Sequence, residues 1–94
     1  MADHKAVGEA RQRLRLATDE WDAIGARLRI ASERGDGHAA ERSFHELVAC
    51  YRTMKLYVAR LNSEYDCNDF QRAIENHRQW LVSTARDVGI QVSL

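Results

Sequence analysis

The sequence predicts an all-α fold: an antiparallel three-helix bundle of long, coiled-coil-like helices, at about 4–34, 38–65 and 67–88. Three observations predict it. Apolar residues recur at alternating steps of three and four along most of the 94-residue chain, which is the period of one helix face. There is no proline, a residue that long helices exclude because its ring removes a backbone donor and clashes with the preceding turn. The periodic pattern breaks at "SERGDGH" and "DCND", and Gly, Asp and Asn there supply the chemistry of helix caps and turns.

The first helix carries Val7, Ala10, Leu14, Ala17, Trp21, Ile24, Leu28 and Ala31 on one face. Beyond it, Gly35 suits the left-handed position that ends a helix, and Asp36 suits the cap that starts the next one. The second face reads Ala40, Phe44, Leu47, Tyr51, Met54, Val58, Leu61 and Tyr65. Asp66 or Asn68 can cap the third helix, and Asp69 adds negative charge to its first turn, where the helix dipole favours it. The third face is Cys67, Phe70, Ile74, His77, Leu81, Thr84 and Val88. Gly89 then provides a second left-handed stop, with Ile90 placed for the apolar contact that follows such a cap. Sustained three–four spacing implies near-antiparallel packing at crossing angles of about 20°, and short connections make neighbours antiparallel. The tail at 89–94 alternates apolar and polar residues and is expected either to fray or to dock as an extended segment.

Composition bounds the function. The chain fits one domain, 1–94, and a core of this size is modest enough for association to add stability. Lys+Arg and Asp+Glu are 14 each, a formal net charge of zero, so no bulk field draws the protein to nucleic acid or an anionic membrane. No apolar run resembles a signal peptide or a membrane span, and a cytoplasmic location is expected. Cys50 and Cys67 should stand roughly 20 Å apart along an antiparallel bundle. A disulfide needs Cα atoms within about 7 Å, so none is expected between them.

Few patterns suggest chemistry at a site. His38, Glu41 and His45 share a face, but no Glu-x-x-His motif accompanies them, as a carboxylate-bridged metal site in a helical bundle would require. They read as a solvated face with an i,i+4 contact, so no metal and no cofactor is expected. The stretch "RQRLR" at 11–15 is basic, yet both outer sides of the first helix mix signs. Glu9–Arg13, Arg15–Asp19 and Arg29–Glu33 are candidate i,i+4 ion pairs. A phosphate-binding face would carry one sign, so nucleic acid is not the expected main partner. Phosphate-cradling loops, nucleophile elbows and paired CxxC motifs are absent.

The stretch "RAIENH" at 72–77 is similar to the catalytic pair of HEPN-type ribonucleases, small all-helical proteins. The resemblance implies a ribonuclease whose Arg72 and His77 meet at a dimer interface. The chain departs from that pattern at Ala73, where the family usually has a polar residue. At about 100° of turn per residue, Arg72 also stands about 140° from His77. Counting along antiparallel helices puts His77 in the seam, level with Ala17, Met54 and Val58 and near Trp21. A polar residue in such a seam commonly fixes register or oligomeric state.

Other features point to a partner. Leu16, Ala23 and Ile30 repeat at intervals of seven on the first helix, away from its main stripe. Thr18, Gly25 and Ser32 repeat likewise beside that stripe. Gly25 costs about 1 kcal/mol in a helix interior, so a close approach is expected there. Tyr57 and Trp80 flank their seams, where large aromatics often serve both core and interface. The expected function is non-enzymatic: a protein–protein interaction module that binds through Leu16, Ala23, Ile30, Tyr57 and Trp80. It would act as adaptor, assembly chaperone or phage or mobile-element accessory protein, as a homo-oligomer or on another protein. The alternatives are the ribonuclease at Arg72 and His77 and a nucleic-acid-binding regulator.

Overall fold

The computed structural model describes residues 4–62 and 68–94. Three helices follow one another, α1 (His4–Glu33), α2 (Gly37–Asn62) and α3 (Asn68–Val88), and no strand occurs among the described residues. The expectations that α2 runs to 65, that Asp66 or Asn68 caps α3, and that Cys67 stays unpaired fall on residues or side chains outside this description, as do those for Val7 and Tyr65.

The turn between α1 and α2 is built as the sequence requires. Gly35 has φ +71°, a left-handed conformation that glycine adopts without steric cost. The Gly35 N–H donates to the Ser32 carbonyl at 3.1 Å and the Asp36 N–H to the Ala31 carbonyl at 2.9 Å, so two carbonyls left over at the end of α1 are satisfied. Asp36 then serves the next helix. Its Oδ1 accepts from the Ala39 N–H at 3.1 Å, and its carbonyl accepts from Ala40 N–H at 3.0 Å. With one residue closing α1 and opening α2, the helices must run antiparallel.

The faces read from the sequence form the α1–α2 core. Ala10, Leu14, Ala17, Ile24 and Ala31 are buried, and so are Phe44, Leu47, Tyr51, Met54, Val58 and Leu61. Burying each large aliphatic side chain contributes about 1.5–3 kcal/mol. α1 and α2 pack closely along their length, whereas α3 approaches the backbone of α2 but, among the described residues, not that of α1. The bundle is elongated, 51 × 20 × 17 Å.

The third face needs correction. Leu81 is fully buried and Ile74 and His77 are half-buried, as expected, but Phe70 and Val88 are 38% and 59% exposed. Ala85 is buried instead. A straight helix of 3.6 residues per turn drifts against a 3.5-residue repeat, which by the last turns exchanges Val88 for Ala85. Phe70, about five full turns before Val88, lies on the same edge, which the α1 backbone does not approach among the described residues. The ion pairs expected along α1 also do not form. Among the described residues the pairs are Arg27–Glu46, Glu41–His45 and Glu75–Arg78. Exposed i,i+4 pairs gain only a few tenths of a kcal/mol and lose side-chain freedom.

The tail docks on the bundle. Gly89 has φ +74°, and the Ile90 N–H donates to the Ala85 carbonyl at 2.8 Å, the same stop as at Gly35. The chain then extends, so alternate side chains share a side, and Ile90, Val92 and Leu94 pack against the core cluster. Arg52 Nη2 donates to the Ser93 carbonyl, which ties the tail to α2.

Candidate functional site

Helix α3 reaches α1 through aromatic rings. The His77 imidazole stacks on Trp21, with centroids 4.2 Å apart and planes 26° from parallel. Trp80 meets the same Trp21 edge-on at 5.9 Å and 71°. Burial pushes the His77 pKa below its ordinary value, against the opposing pull of the Asp22 carboxylate. Arg72 is exposed on the outer side of α3, while His77 is half-buried in the seam.

The side of α3 bearing these rings stays open. Trp80 is 43% exposed, and Phe70 and Val88 fall on the same helical side as His77. On α1, Gly25 is partly buried, yet a methyl group there would meet no atom within 4 Å. The close approach expected at Gly25 is therefore not made among the described residues. Thr18, its neighbour one heptad back, turns its hydroxyl to the Leu14 carbonyl at 2.9 Å.

A second apolar surface lies on the back of α1. Leu16 is 60% and Ile30 44% exposed, and Ala23 between them is exposed too. Tyr57 is placed differently: it is half-buried against the core cluster, with the Arg60 guanidinium 5.7 Å from its ring centroid. Of the five residues expected to bind a partner, Leu16, Ala23 and Ile30 share a face. Trp80 stands on the α3 edge and Tyr57 on α2. Phe70 and Val88 were missed as surface residues because their spacing matches the buried stripe, and spacing does not say that the α1 backbone stays away from α3.

Groups able to act chemically are scarce. The Cys50 thiol is buried, donates to the Ala17 carbonyl at 3.1 Å and has its pKa raised to about 11 by burial and by Glu20. Such a thiol is not a nucleophile at neutral pH. Tyr51 is buried beside the Glu75–Arg78 pair, and burial raises its pKa. Arg78 holds the Glu75 carboxyl below the usual range through bonds of 2.6–3.2 Å. His45 and Glu41 are an exposed pair at 3.7 Å, and no group of three potential metal ligands occurs among the described residues. No described helix is long and apolar enough to cross a membrane.

The architecture is that of an all-α helical bundle that, among the described residues, leaves apolar side chains uncovered on the back of α1 and on the Trp80 side of α3. No family model, no curated protein and no solved structure matches the chain.

Proposed function

We propose that the protein is a non-enzymatic interaction module that binds other protein surfaces by helix packing. The observation that carries this reading is the exposed row of Leu16, Ala23 and Ile30 on a helix whose core face is already filled. Aligned exposed apolar residues mark contact surfaces, whereas scattered ones do not. The open edge at Trp80 adds a second place for contact, since tryptophan is enriched among the residues that dominate binding energy. The cytoplasm is the proposed location. Against the ribonuclease reading, His77 is engaged face-on by Trp21 while Arg72 points to solvent. A nucleic-acid-binding regulator is disfavoured by a net charge of zero.

The test compares partners retained from the native host by wild type, by Leu16→Glu/Ile30→Glu and by Trp80→Glu. Each variant is first shown to keep its helicity. Wild type should retain a partner, a second copy included, that at least one variant loses. Identical retention by all three would sink the reading, as would RNA cleavage by wild type that both Arg72→Ala and His77→Ala abolish.

A further inference from the structure

We propose that the back of α1 is a self-association surface on which a second copy of this chain seats antiparallel, with the two-fold axis passing at Ala23. The proposal rests on the reading of the chain as an interaction module and names its partner. Leu16 and Ile30 each lie seven residues from Ala23. In an antiparallel pair centred on Ala23, Leu16 therefore meets the partner's Ile30 at both ends. The smallest of the three side chains falls at the axis, where two helices come closest. Both large residues are exposed in the single chain, at 60% and 44%.

Charge complementarity selects a second copy as the occupant. At about 100° per residue, Arg15 and Glu33 flank the apolar row on one side, each about 80° from its centre. Antiparallel helices related by a two-fold axis perpendicular to them bring equivalent flanks together, so Arg15 comes level with the partner's Glu33 to within about one turn. The reciprocal pair forms by symmetry. Neither Arg15 nor Glu33 has an ion pair within the chain among the described residues. On the other flank Glu20 comes level with the partner's Arg27, which already bonds its own Glu46 at 3.0 Å. The partner's Arg34 there meets both Glu9 and Arg13, and those two contributions offset. The flank bearing Glu20 is the one next to α2. Exposed small residues Ala49 and Thr53 border a shallow depression there with Glu20 and Glu46, which leaves room for the partner's α2. In a parallel copy the flank bearing Arg15 and Glu33 would face the partner's other flank instead, so this reciprocal pair could not form.

The test measures mass by light scattering and sedimentation over a range of concentrations, with helicity as a control for folding. Wild type should be dimeric at high concentration, and Leu16→Glu/Ile30→Glu should be monomeric with its helices intact. Arg15→Glu should weaken the dimer several-fold, and Arg15→Glu/Glu33→Arg should restore it, the signature of a coupled pair. In a Cys67→Ser background, with Cys50 buried, Ala23→Cys should oxidise to a covalent dimer. Leu16→Cys alone should not, whereas Leu16→Cys/Ile30→Cys should. A dimer that ignores the charge reversals and fails to cross-link through Ala23→Cys would overturn the proposal. So would a wild type that stays monomeric at every concentration. If that monomer still retains a partner that Trp80→Glu loses, the interaction reading stands and this proposal alone fails.

Discussion

The imidazole of His77 is half-buried against the Trp21 ring, and burial disfavours its charged form. Its native pKa lies below the ordinary 6.5, so between those two values the unfolded chain binds more protons than the folded one. Stability therefore rises with pH in that window. The contribution is complete above about 6.5 and is lost as pH falls through the lowered native value. Asp22 works the other way by favouring the imidazolium, so Asp22→Asn should widen the window. An NMR titration should place His77 below 6.5, and His77→Gln should flatten this part of the stability–pH curve. A His77 titrating above its ordinary value, or a curve unchanged by the substitution, would contradict the assignment. The seam position of this histidine was legible by counting residues along antiparallel helices. Its engagement by the face of Trp21 was not, because that depends on how α3 is rotated about its own axis and how far it stands from α1. For Cys50 the expectation concerned only its distance from Cys67, which lies outside the described residues; its buried bond to the Ala17 carbonyl was not legible, because it needs the α1–α2 contact to exist first.

Among the elements, what is determined locally was easiest to read. The stops at Gly35 and Gly89 and the cap at Asp36 each involve residues within five positions of one another, and both glycines take the positive φ expected of them. The drift of the α3 face and the open edge beside it were not legible, since equal apolar stripes do not say which neighbour each will meet. Gly25 makes the distinction measurable. It sits inside α1 with nothing within 4 Å of a methyl group placed on it, and glycine there costs about 0.5–1 kcal/mol relative to alanine through backbone entropy. Gly25→Ala should thus stabilise the protein by about that amount, read as a higher midpoint in urea at unchanged slope. A loss of stability would mean that another helix approaches closer at Gly25 than the packing of this chain allows. The substitution should also leave self-association intact, because on the wheel Gly25 stands far from the Leu16–Ala23–Ile30 row.

At the scale of the whole molecule the three helices are not held equally. α1 and α2 share a continuous core and a turn satisfied from both sides, while α3 rests on α2 and touches α1 through Trp21, His77 and Trp80. The tail returns part of what α3 lacks. Its residues Ile90, Val92 and Leu94 cover the core cluster, and Arg52 holds Ser93. Local opening follows the density of buried apolar contacts, so α3 and the tail should open as one unit below the free energy of global unfolding. Native-state hydrogen exchange should show amides in the middle of α3, around Leu81, exchanging at lower opening free energy than those around Leu14 and Leu47. Trp21→Ala should lower the α3 value further than it lowers that of α2, because it removes the ring that bridges α1 to α3. Equal protection in all three helices would contradict this ordering and would require a closer approach of α1 to α3 than the described residues make. The ordering also bears on binding. A partner that fills the open edge beside Trp80 would add the missing neighbour of α3 and raise its protection selectively, whereas a second copy on the back of α1 would protect the hairpin and leave α3 as it is.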